Sequence, residues 1–345
     1  MFNQKVIVKR NGKRAKSANL KESYKMEFTF FGTSAGTPTK ARNVTALALR
    51  LKREKSWCLI DCGEGTQHQL LHVPYSLANL AAVFITHVHG DHCFGLVGLL
   101  ASASLTGRKA PLTIYGPAAL AQFIPLTLEL TDTYLCYPIE FVDVESLDQE
   151  IEVAGFAVSA IRLSHRVPCH AWHFVERNIA HQLDQGKLGQ AGIEKGPLWG
   201  KIQQGEQVRL ADGRLINGRD FWRIDNEARS IIVAGDNDQP ELLQQAAAQA
   251  NVLIHEATYT QAIADKVGPD PMHSSAMQLA KFAQQVALPN LVMTHFSARF
   301  GGEGKSSMRI LQQEAKRFYH GELFLAEDLT TYQLNSKGEL SKLTP

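Results

Sequence analysis

Residues 87–92 read His-Val-His-Gly-Asp-His and place three imidazoles and one carboxylate within six positions. The segment follows a strand-like apolar run, 81–86, and precedes a helix-like apolar run, 94–105. Packed together, the histidines would repel one another when protonated, and buried without partners they would carry a desolvation cost. A divalent cation removes both problems, because neutral imidazole and carboxylate are ligands that zinc and similar metals prefer. The spacing therefore predicts a metal-binding loop at the carboxyl end of a buried strand, where α/β proteins place their chemistry.

Three further ligand-type side chains, His165, Asp236 and His295, also come directly after strand-like apolar runs. Any one of them alone is more typical of a capped or hydrogen-bonded surface residue. Because strands of α/β folds end at a shared edge, these side chains can converge with the 87–92 loop. The loop and the three residues together make a set of seven ligands, which is enough for two metal ions.

The seven side chains divide into two sets that share one member, Asp236. The expected ligands of the first metal are His87, His89 and His165, and those of the second are Asp91, His92 and His295. Asp236, with two carboxylate oxygens, is the expected bridge. Two metals about 3.5–4 Å apart hold a bridging hydroxide and stabilise an in-line displacement. Asp91 has a second candidate role, which is to orient or deprotonate the attacking water.

Strand and helix patterns alternate along most of the chain after residue 25 and predict an α/β layered fold in which helices cover the strands. The predicted strands are 26–31, 44–51, 57–61, 81–86, 112–115, 139–144, 156–163, 171–175, 230–234, 252–255, 291–294 and 322–326. The predicted helices are 66–72, 94–105, 118–130, 240–250, 274–286 and 306–319.

Two segments do not follow this alternation. Residues 1–25 hold eight Lys or Arg against one acid, Glu22, and their weak periodicity predicts a disordered basic extension. Residues 177–222 are polar, Gly-rich and Gln-rich, which is typical of an inserted arm or subdomain. We therefore expect an extension at 1–25 and one domain at 26–345, with an arm inserted at 177–218.

Composition narrows the classes of function. No run approaches the ~18 uninterrupted apolar residues of a membrane span. Five cysteines without a Cys-x-x-Cys pair favour reduced thiols in a cytoplasmic protein. Beyond the basic N-terminal segment the chain is mildly acidic, which argues against a broad nucleic-acid-coating surface but is compatible with a local basic groove.

The chain resembles the metallo-β-lactamase fold, whose five successive motifs are matched by residues distributed along the sequence. The matching residues are Asp61-Cys62-Gly63-Glu64-Gly65-Thr66, the 87–92 loop, His165, Asp236 and His295. This resemblance implies a four-layer αβ/βα sandwich with a di-zinc site between the sheet edges. These motifs alone identify a superfamily that includes lactamases, thioesterases, lactonases and phosphodiesterases.

Four further segments are similar to the ribonuclease Z branch of that superfamily, in its short form. They are Pro38-Thr39-Lys40-Ala41-Arg42-Asn43, His255-Glu256-Ala257-Thr258, His273-Ser274-Ser275 and Ser297-Ala298-Arg299-Phe300. The similarity extends over residues 26–333.

The resemblance implies an endoribonuclease that removes the 3′ trailer from tRNA precursors by metal-hydroxide attack and leaves a tRNA 3′-hydroxyl. Its cofactor would be two Zn²⁺, and Mn²⁺ or Fe²⁺ suits the same ligands. His273 would protonate the leaving ribose oxygen, and Glu256 would fix the His273 ring. The implied contacts to the substrate are Lys40, Arg42, Asn43 and Arg299. Residues 177–218 correspond to the branch's flexible arm, which grips the tRNA elbow and, in a homodimer, presents it to the other subunit.

The chain departs from the branch pattern at several positions. Asn237 follows Asp236 where the branch has Thr or Ser, so a hydroxyl beside a metal ligand is lost. Ala298 and Phe300 replace a serine and a tyrosine. The arm has few basic residues, so an unspecialised insertion is the alternative there. The alternative function is a broader metal-dependent phosphodiesterase of the same fold, acting on small diesters or other RNA. A non-catalytic RNA-binding homologue would be free to lose ligands, and all seven are present.

Overall fold

The computed structural model describes residues 25–177, 181–223, 227–302 and 307–343. The strands are β1 (Met26–Gly32), β2 (Ser34–Ala35), β3 (Ala46–Leu51), β4 (Trp57–Ile60), β5 (Leu80–Phe84), β6 (Leu112–Gly116), β7 (Ile139–Asp143), β8 (Ile151–Val153), β9 (Phe156–Leu163), β10 (Cys169–Glu176), β11 (Gln182–Leu183), β12 (Gln207–Arg209), β13 (Leu215–Asn217), β14 (Trp222–Arg223), β15 (Ser230–Ala234), β16 (Val252–Glu256), β17 (Asn290–Thr294), β18 (Phe296–Ser297), β19 (Glu322–Leu325), β20 (Thr331–Leu334) and β21 (Leu340–Lys342). The α-helices are α1 (Thr66–Gln69), α2 (Gly90–Cys93), α3 (Leu96–Leu105), α4 (Leu120–Leu130), α5 (Gln185–Gln190), α6 (Leu198–Gln203), α7 (Gln244–Ala247), α8 (Gln261–Val267), α9 (Ala276–Gln285) and α10 (Arg309–Ala315).

Two large mixed sheets contain most of these strands. The first has eight strands in the order β21-β20-β1-β3-β4-β5-β6-β7, and the second has seven in the order β19-β17-β16-β15-β10-β9-β8. Part of each sheet is parallel: β4 to β7 in the first, and β15, β16, β17 and β19 in the second. Because parallel strands end at the same edge, the loops that follow β4 and β5 lie together, as do those that follow β15, β16 and β17.

The side chains of β1 and β5 show how the layers are held together. Phe28 and Phe30 of β1 belong to the hydrophobic cluster between the sheets, whereas Phe31 points to the cluster under α3 and α4, as the period of two in a strand requires. Phe84 of β5 crosses to the second sheet, where its ring centroid lies 4.9 Å from that of Trp172. Helices α9 and α10 cover the second sheet. The predicted four-layer α/β sandwich is confirmed.

All twelve predicted strands are present, but β8, β20 and β21 had not been predicted. The helix predicted from residue 94 is wrong at its start, because α2 ends at Cys93 and α3 begins at Leu96. The break has a packing cause. The Gly95 N–H donates to the carbonyl of Cys62, at 2.9 Å, and a Cβ on Gly95 would lie 2.0 Å from the carbonyl oxygen of Gly63. A side chain there would therefore separate the 61–66 segment from the 87–92 loop.

The segment predicted as an inserted arm or subdomain contains a small folded unit. Strands β11 to β14 and helices α5 and α6 fall within residues 182–223, and β11 pairs with β14, so its two ends meet. Its buried side chains form a cluster of their own, made of Leu188, Ile193, Ile202, Val208 and Leu210. These five apolar residues are dispersed among polar ones, so no helix or strand period was visible in the sequence.

The predicted N-terminal extension lies outside the described residues, except for Lys25. Within the described ranges, every helix is too short or too polar to cross a membrane.

Because the arm has a hydrophobic core of its own, we expect it to be able to unfold while the sandwich stays folded. Ile202 is fully buried in the arm cluster. We expect Ile202→Ala to destabilise the arm by about 2–5 kcal/mol, the usual cost of deleting that many buried methylenes. Limited proteolysis should then cut within residues 181–223 at protease concentrations that spare the wild type, while the main thermal transition stays in place. Ile254→Ala, which acts on the core between the sheets, is the control and should lower the main transition. Equal shifts of that transition by the two variants would show that the arm is not a separate cooperative unit.

Candidate metal centre

The ends of five strands carry the side chains of this site. The residues are Asp61 after β4, His87 to His92 after β5, His165 after β9, Asp236 after β15 and His295 after β17. Asp61 and His295 have φ angles of 57° and 55°, in the left-handed region that residues other than glycine rarely adopt. Such conformations persist only where neighbours hold them, and they cluster at functional sites.

The first group of ligand atoms comes from His87, His89, His165 and Asp236, and these atoms lie within 4.8 Å of one another. Nδ1 of His89 is 3.1 Å from Nε2 of His87 and 3.2 Å from Nε2 of His165. Burial lowers the pKa of all three rings, and that of His87 falls well below its usual value. Neutral rings direct nitrogen lone pairs into the space between them.

Asp91, His92 and His295 form the second group, again within 4.8 Å. Nε2 of His295 lies 3.3 Å from Nε2 of His92 and 3.2 Å from Oδ2 of Asp91. Burial lowers the pKa of His92, but the carboxylates of Asp236 and Asp61 outweigh it and raise that pKa to about 10. The negative charge around this group therefore favours a cation in it.

Asp236 lies between the two groups and presents one oxygen to each. Oδ2 is 3.6 Å from Nε2 of His87 and 3.7 Å from Nε2 of His165, whereas Oδ1 is 3.5 Å from Nε2 of His92 and 3.4 Å from Nε2 of His295. Oδ1 is buried and has no hydrogen-bond partner among the described residues. A buried carboxylate oxygen without a partner is costly, and a cation in front of it removes the cost. The donor set thus fits two divalent metal ions that share Asp236, and it is the set predicted from the sequence.

Three histidines of the site also have a neighbour that fixes the ring through the nitrogen turned away from the ligand atoms. The Nδ1 atoms of His92, His165 and His295 contact Oδ2 of Asp61 at 2.7 Å, the carbonyl of Met272 at 3.1 Å and Oγ1 of Thr258 at 3.1 Å. Such contacts orient a ligand and raise its basicity. The sequence alone assigned no role to Asp61 or Thr258, although Asp61 ends a predicted strand and directly follows the observed strand β4, a position like that of the ligands.

Glu256 and His273 form a hydrogen-bonded pair at the same edge, with 3.0 Å between Oε1 and Nδ1. Oε1 of Glu256 also accepts from the backbone N–H of Ser274, and Oε2 accepts from Thr258. Burial raises the pKa of Glu256, but His273 and the hydrogen bonds outweigh it and lower that pKa; burial lowers the pKa of His273, but Glu256 outweighs it and raises that pKa. The two groups therefore favour an ionised pair.

Comparison with known proteins assigns the family. Ribonuclease Z of Marinobacter nauticus is 53% identical to this chain over 320 residues, which cover 92% of the chain and 99% of that protein. Ribonuclease Z of Pseudomonas putida is 49% identical over 321 residues, with the same coverage. The chain belongs to the ribonuclease Z family. A family described as Anti-Pycsar protein Apyc1 also matches, over residues 26–171.

Solved structures agree with this assignment. Human tRNase Z, short form, has a TM-score of 0.60 and 28% identity, covering 88% of this chain and 98% of that one. The metallo-β-lactamase fold protein YhfI from Bacillus subtilis has a TM-score of 0.62 at 19% identity, covering 90% of this chain and 99% of that one, and shows the shared fold. The family and the fold predicted from the motifs are both confirmed.

The 34–43 loop of this ribonuclease Z family member touches the metal centre through its backbone. The N–H of Gly36 donates to Oδ2 of Asp91 at 2.7 Å. The loop begins with β2, which pairs with β18 directly after His295. The loop therefore holds Asp91 on one side while its first residues fix the segment that follows His295.

Two of the four predicted substrate contacts turn towards the protein. Nη1 of Arg42 donates to Oγ1 of Thr33 at 2.6 Å and to the carbonyl of Ala326 at 2.8 Å, and its guanidinium lies 5.1 Å from the centre of the Phe296 ring. Nδ2 of Asn43 donates to the carbonyl of Glu64 at 2.8 Å. These contacts show that polar groups of both residues anchor the loop, and their contact with substrate stays a prediction.

Lys40 and Arg299 are exposed and can still reach a bound molecule. The Arg299 guanidinium lies 5.8 Å from the centre of the Tyr259 ring, and the Tyr259 ring centroid is 6.1 Å from that of His273. Both residues remain predicted substrate contacts.

Asp61 provides a test of the ring-orienting contacts. Asp61→Asn keeps the size of the side chain but puts an N–H₂ where an oxygen now accepts from His92 or Thr86. We expect about ten- to hundredfold weaker metal binding, measured by competition with a chelator. Glu176→Gln is the matched control, because Glu176 is equally buried but pairs with Arg229 at the opposite end of the sheet. It should reduce stability and leave metal affinity unchanged. Equal metal affinity in both variants would contradict the role given to Asp61.

The stabilities of variants at Arg42 and Lys40 should show which of the two side chains anchors the 34–43 loop. Arg42→Ala removes two hydrogen bonds made by a charged group and leaves the Ala326 carbonyl without this donor, so we expect it to lower the free energy of unfolding by about 2–4 kcal/mol. Lys40→Ala should change it by less than about 0.5 kcal/mol. Denaturant titration of both variants gives the comparison. An Arg42→Ala variant of unchanged stability would contradict the anchoring role of Arg42.

Proposed function

We propose that this chain is a two-zinc endoribonuclease that removes the 3′ trailer from tRNA precursors and leaves a 3′-hydroxyl on the tRNA. The observation that carries the proposal is the conjunction of two metal-binding groups with the Glu256–His273 pair at one edge of the fold. The family assignment supports it, since relatives that bear the name Ribonuclease Z match nearly their whole length.

The two groups described above would hold the metal ions, with Asp236 shared between them. Two divalent ions so placed activate a water nucleophile and stabilise the charge that develops on a phosphoryl group in the transition state. Asp91 is only partly buried, and its Oδ2 is fixed by the Gly36 N–H. From that position the carboxylate can orient the attacking water or accept its proton.

Proton donation to the leaving ribose oxygen falls to His273. Its Nδ1 is engaged by Glu256, and its Nε2 has no hydrogen-bond partner among the described residues. The side chain is 13% exposed, so a substrate can reach it. An alkoxide is a poor leaving group and needs this proton, whereas a nitrophenolate does not.

Precursor tRNA, a homodimer and a cytoplasmic location belong to the same proposal. In the arm, Lys195 and Lys201 are exposed and can contact an RNA backbone. In a homodimer the arm of one subunit would serve the active site of the other. The five free cysteines suit a reducing compartment.

Cleavage of a 3′-extended precursor tRNA by the purified protein tests the proposal, with zinc content measured alongside. We expect one cut next to the discriminator nucleotide. His273→Ala should lower its rate by about 10²–10⁴-fold, the usual contribution of a general acid, yet leave hydrolysis of bis(p-nitrophenyl) phosphate within about threefold. His320→Ala, at an exposed histidine, is the control.

Hydrolysis of the small diester without cleavage of any precursor would replace this proposal with the broader phosphodiesterase. Equal losses on both substrates in His273→Ala would reject His273 as the proton donor.

A further inference from the structure

Asn237, one of the residues at which the chain departs from the family pattern, is fully buried beside Asp236. Its side-chain amide joins three segments. Oδ1 accepts from the backbone N–H groups of Ser164 and Gln239, each at 3.2 Å, and Nδ2 lies 3.0 Å from Nε2 of His255. The loop that carries His165 is thereby tied to the loop that carries Asp236 and to strand β16.

These contacts determine the orientation of the Asn237 amide and the tautomer of the His255 imidazole. Two backbone N–H groups point at one end of the amide, so that end must be the oxygen and the other end must be the N–H₂ group. Nε2 of His255 must then accept, which leaves the proton on Nδ1. That proton has a partner, because Nδ1 lies 2.8 Å from the carbonyl of Glu256. Only the neutral Nδ1–H tautomer of His255 satisfies every contact.

The backbone of Asn237 reaches the proton-donating pair as well. Its N–H donates to Oε1 of Glu256 at 3.2 Å, and its carbonyl accepts from Oγ of Ser274 at 2.6 Å. Ser274 follows His273 and donates its own N–H to the same oxygen of Glu256 at 3.0 Å. The Asn237 segment thus contacts the Glu256 carboxylate and the residue next to His273.

We propose that Asn237 is a positioning residue for His273: by tying Ser164 to His255, its amide holds the Glu256 carboxylate where it orients the proton-donating ring. This inference rests on the proposed function for the role of His273. The hydroxyl of a Ser or Thr carries a single oxygen on Cβ, so it cannot span both Ser164 and His255. In this chain the amide therefore does more than replace a hydroxyl.

Two substrates that differ in their leaving group distinguish a loss of His273 positioning from a general loss of activity in Asn237 variants. Asn237→Ala and the milder Asn237→Thr would be assayed as zinc-loaded proteins on precursor tRNA and on bis(p-nitrophenyl) phosphate. We expect kcat for the precursor to fall by about ten- to hundredfold, as for a misplaced catalytic group, with KM changed less than about threefold. Hydrolysis of the nitrophenyl diester should stay within about threefold, because its leaving group needs no proton. Similar losses on both substrates, or no loss on either, would overturn the inference.

Asn290→Ala is the matched control for loss of a buried asparagine. Asn290 is 2% exposed, and its Nδ2 donates to the carbonyls of Asn251 and Gly338 at the opposite end of the second sheet. This variant should lose as much thermal stability as Asn237→Ala while keeping kcat on both substrates. A loss of precursor cleavage as large as that of Asn237→Ala would assign the effect to stability and overturn the inference.

Nitrogen NMR of the His255 ring gives a second readout that does not depend on activity. The zinc-loaded wild type should show a neutral ring protonated at Nδ1, and Asn237→Ala should show a mixture of tautomers. A wild-type ring protonated at Nε2 would contradict the inference directly. If the wild type hydrolyses the nitrophenyl diester but cleaves no precursor, the proposed function fails. The NMR measurement then still decides whether Asn237 sets the tautomer of His255.

Discussion

The arrangement of the candidate metal centre depends on the free-energy cost of burying the Asp236 carboxylate opposite imidazole nitrogens. Asp236 is 3% exposed, and its Oδ1 has no hydrogen-bond partner among the described residues while it faces two imidazole nitrogens. Left alone, such an arrangement would be several kcal/mol unfavourable. Divalent cations held by the two groups would make these contacts favourable. The left-handed backbone of Asp61 and His295 and the glycine contact between the 61–66 and 87–92 segments all serve to keep the donors in place.

The contacts around the ligands divide into two networks, one for each sheet. Asp61 and Thr86 fix His92 from the first sheet. Thr258 fixes His295 from the second sheet and also donates to Glu256, so the metal ligand and the proton-donating pair share one hydroxyl. Asp236 is the side chain that faces both networks. The candidate ligands therefore come from loops of both sheets, whereas Glu256 lies on strand β16 of the second sheet and His273 on a loop that follows it.

The ligands could be predicted from the sequence because each lies directly after a strand-forming run, which is a local signal. The contacts that orient them could not. The bond between Gly36 and Asp91 joins positions far apart in sequence, and nothing near Gly36 marks it as a donor. Arg42 shows the converse: its charge suggested a phosphate contact, but only the structure shows that its guanidinium packs on Phe296 and binds a carbonyl. The core of the arm could not be predicted for a third reason, since its five buried apolar residues are dispersed among polar ones.

The match to a second family covers only part of the candidate site. Residues 26–171 contain the 87–92 loop and His165, but the match ends before Asp236, Glu256, His273 and His295. The shared segment therefore supplies the complete histidine set of one metal group and only part of the other. What lies beyond it is the bridging carboxylate, the last ligand and the proton-donating pair with its Asn237 support. A metal that activates water is useful for many phosphodiesters, but protonation of a ribose oxygen is required only when the leaving group is an alkoxide. The two residues that would meet this requirement, Glu256 and His273, both lie outside the matched segment.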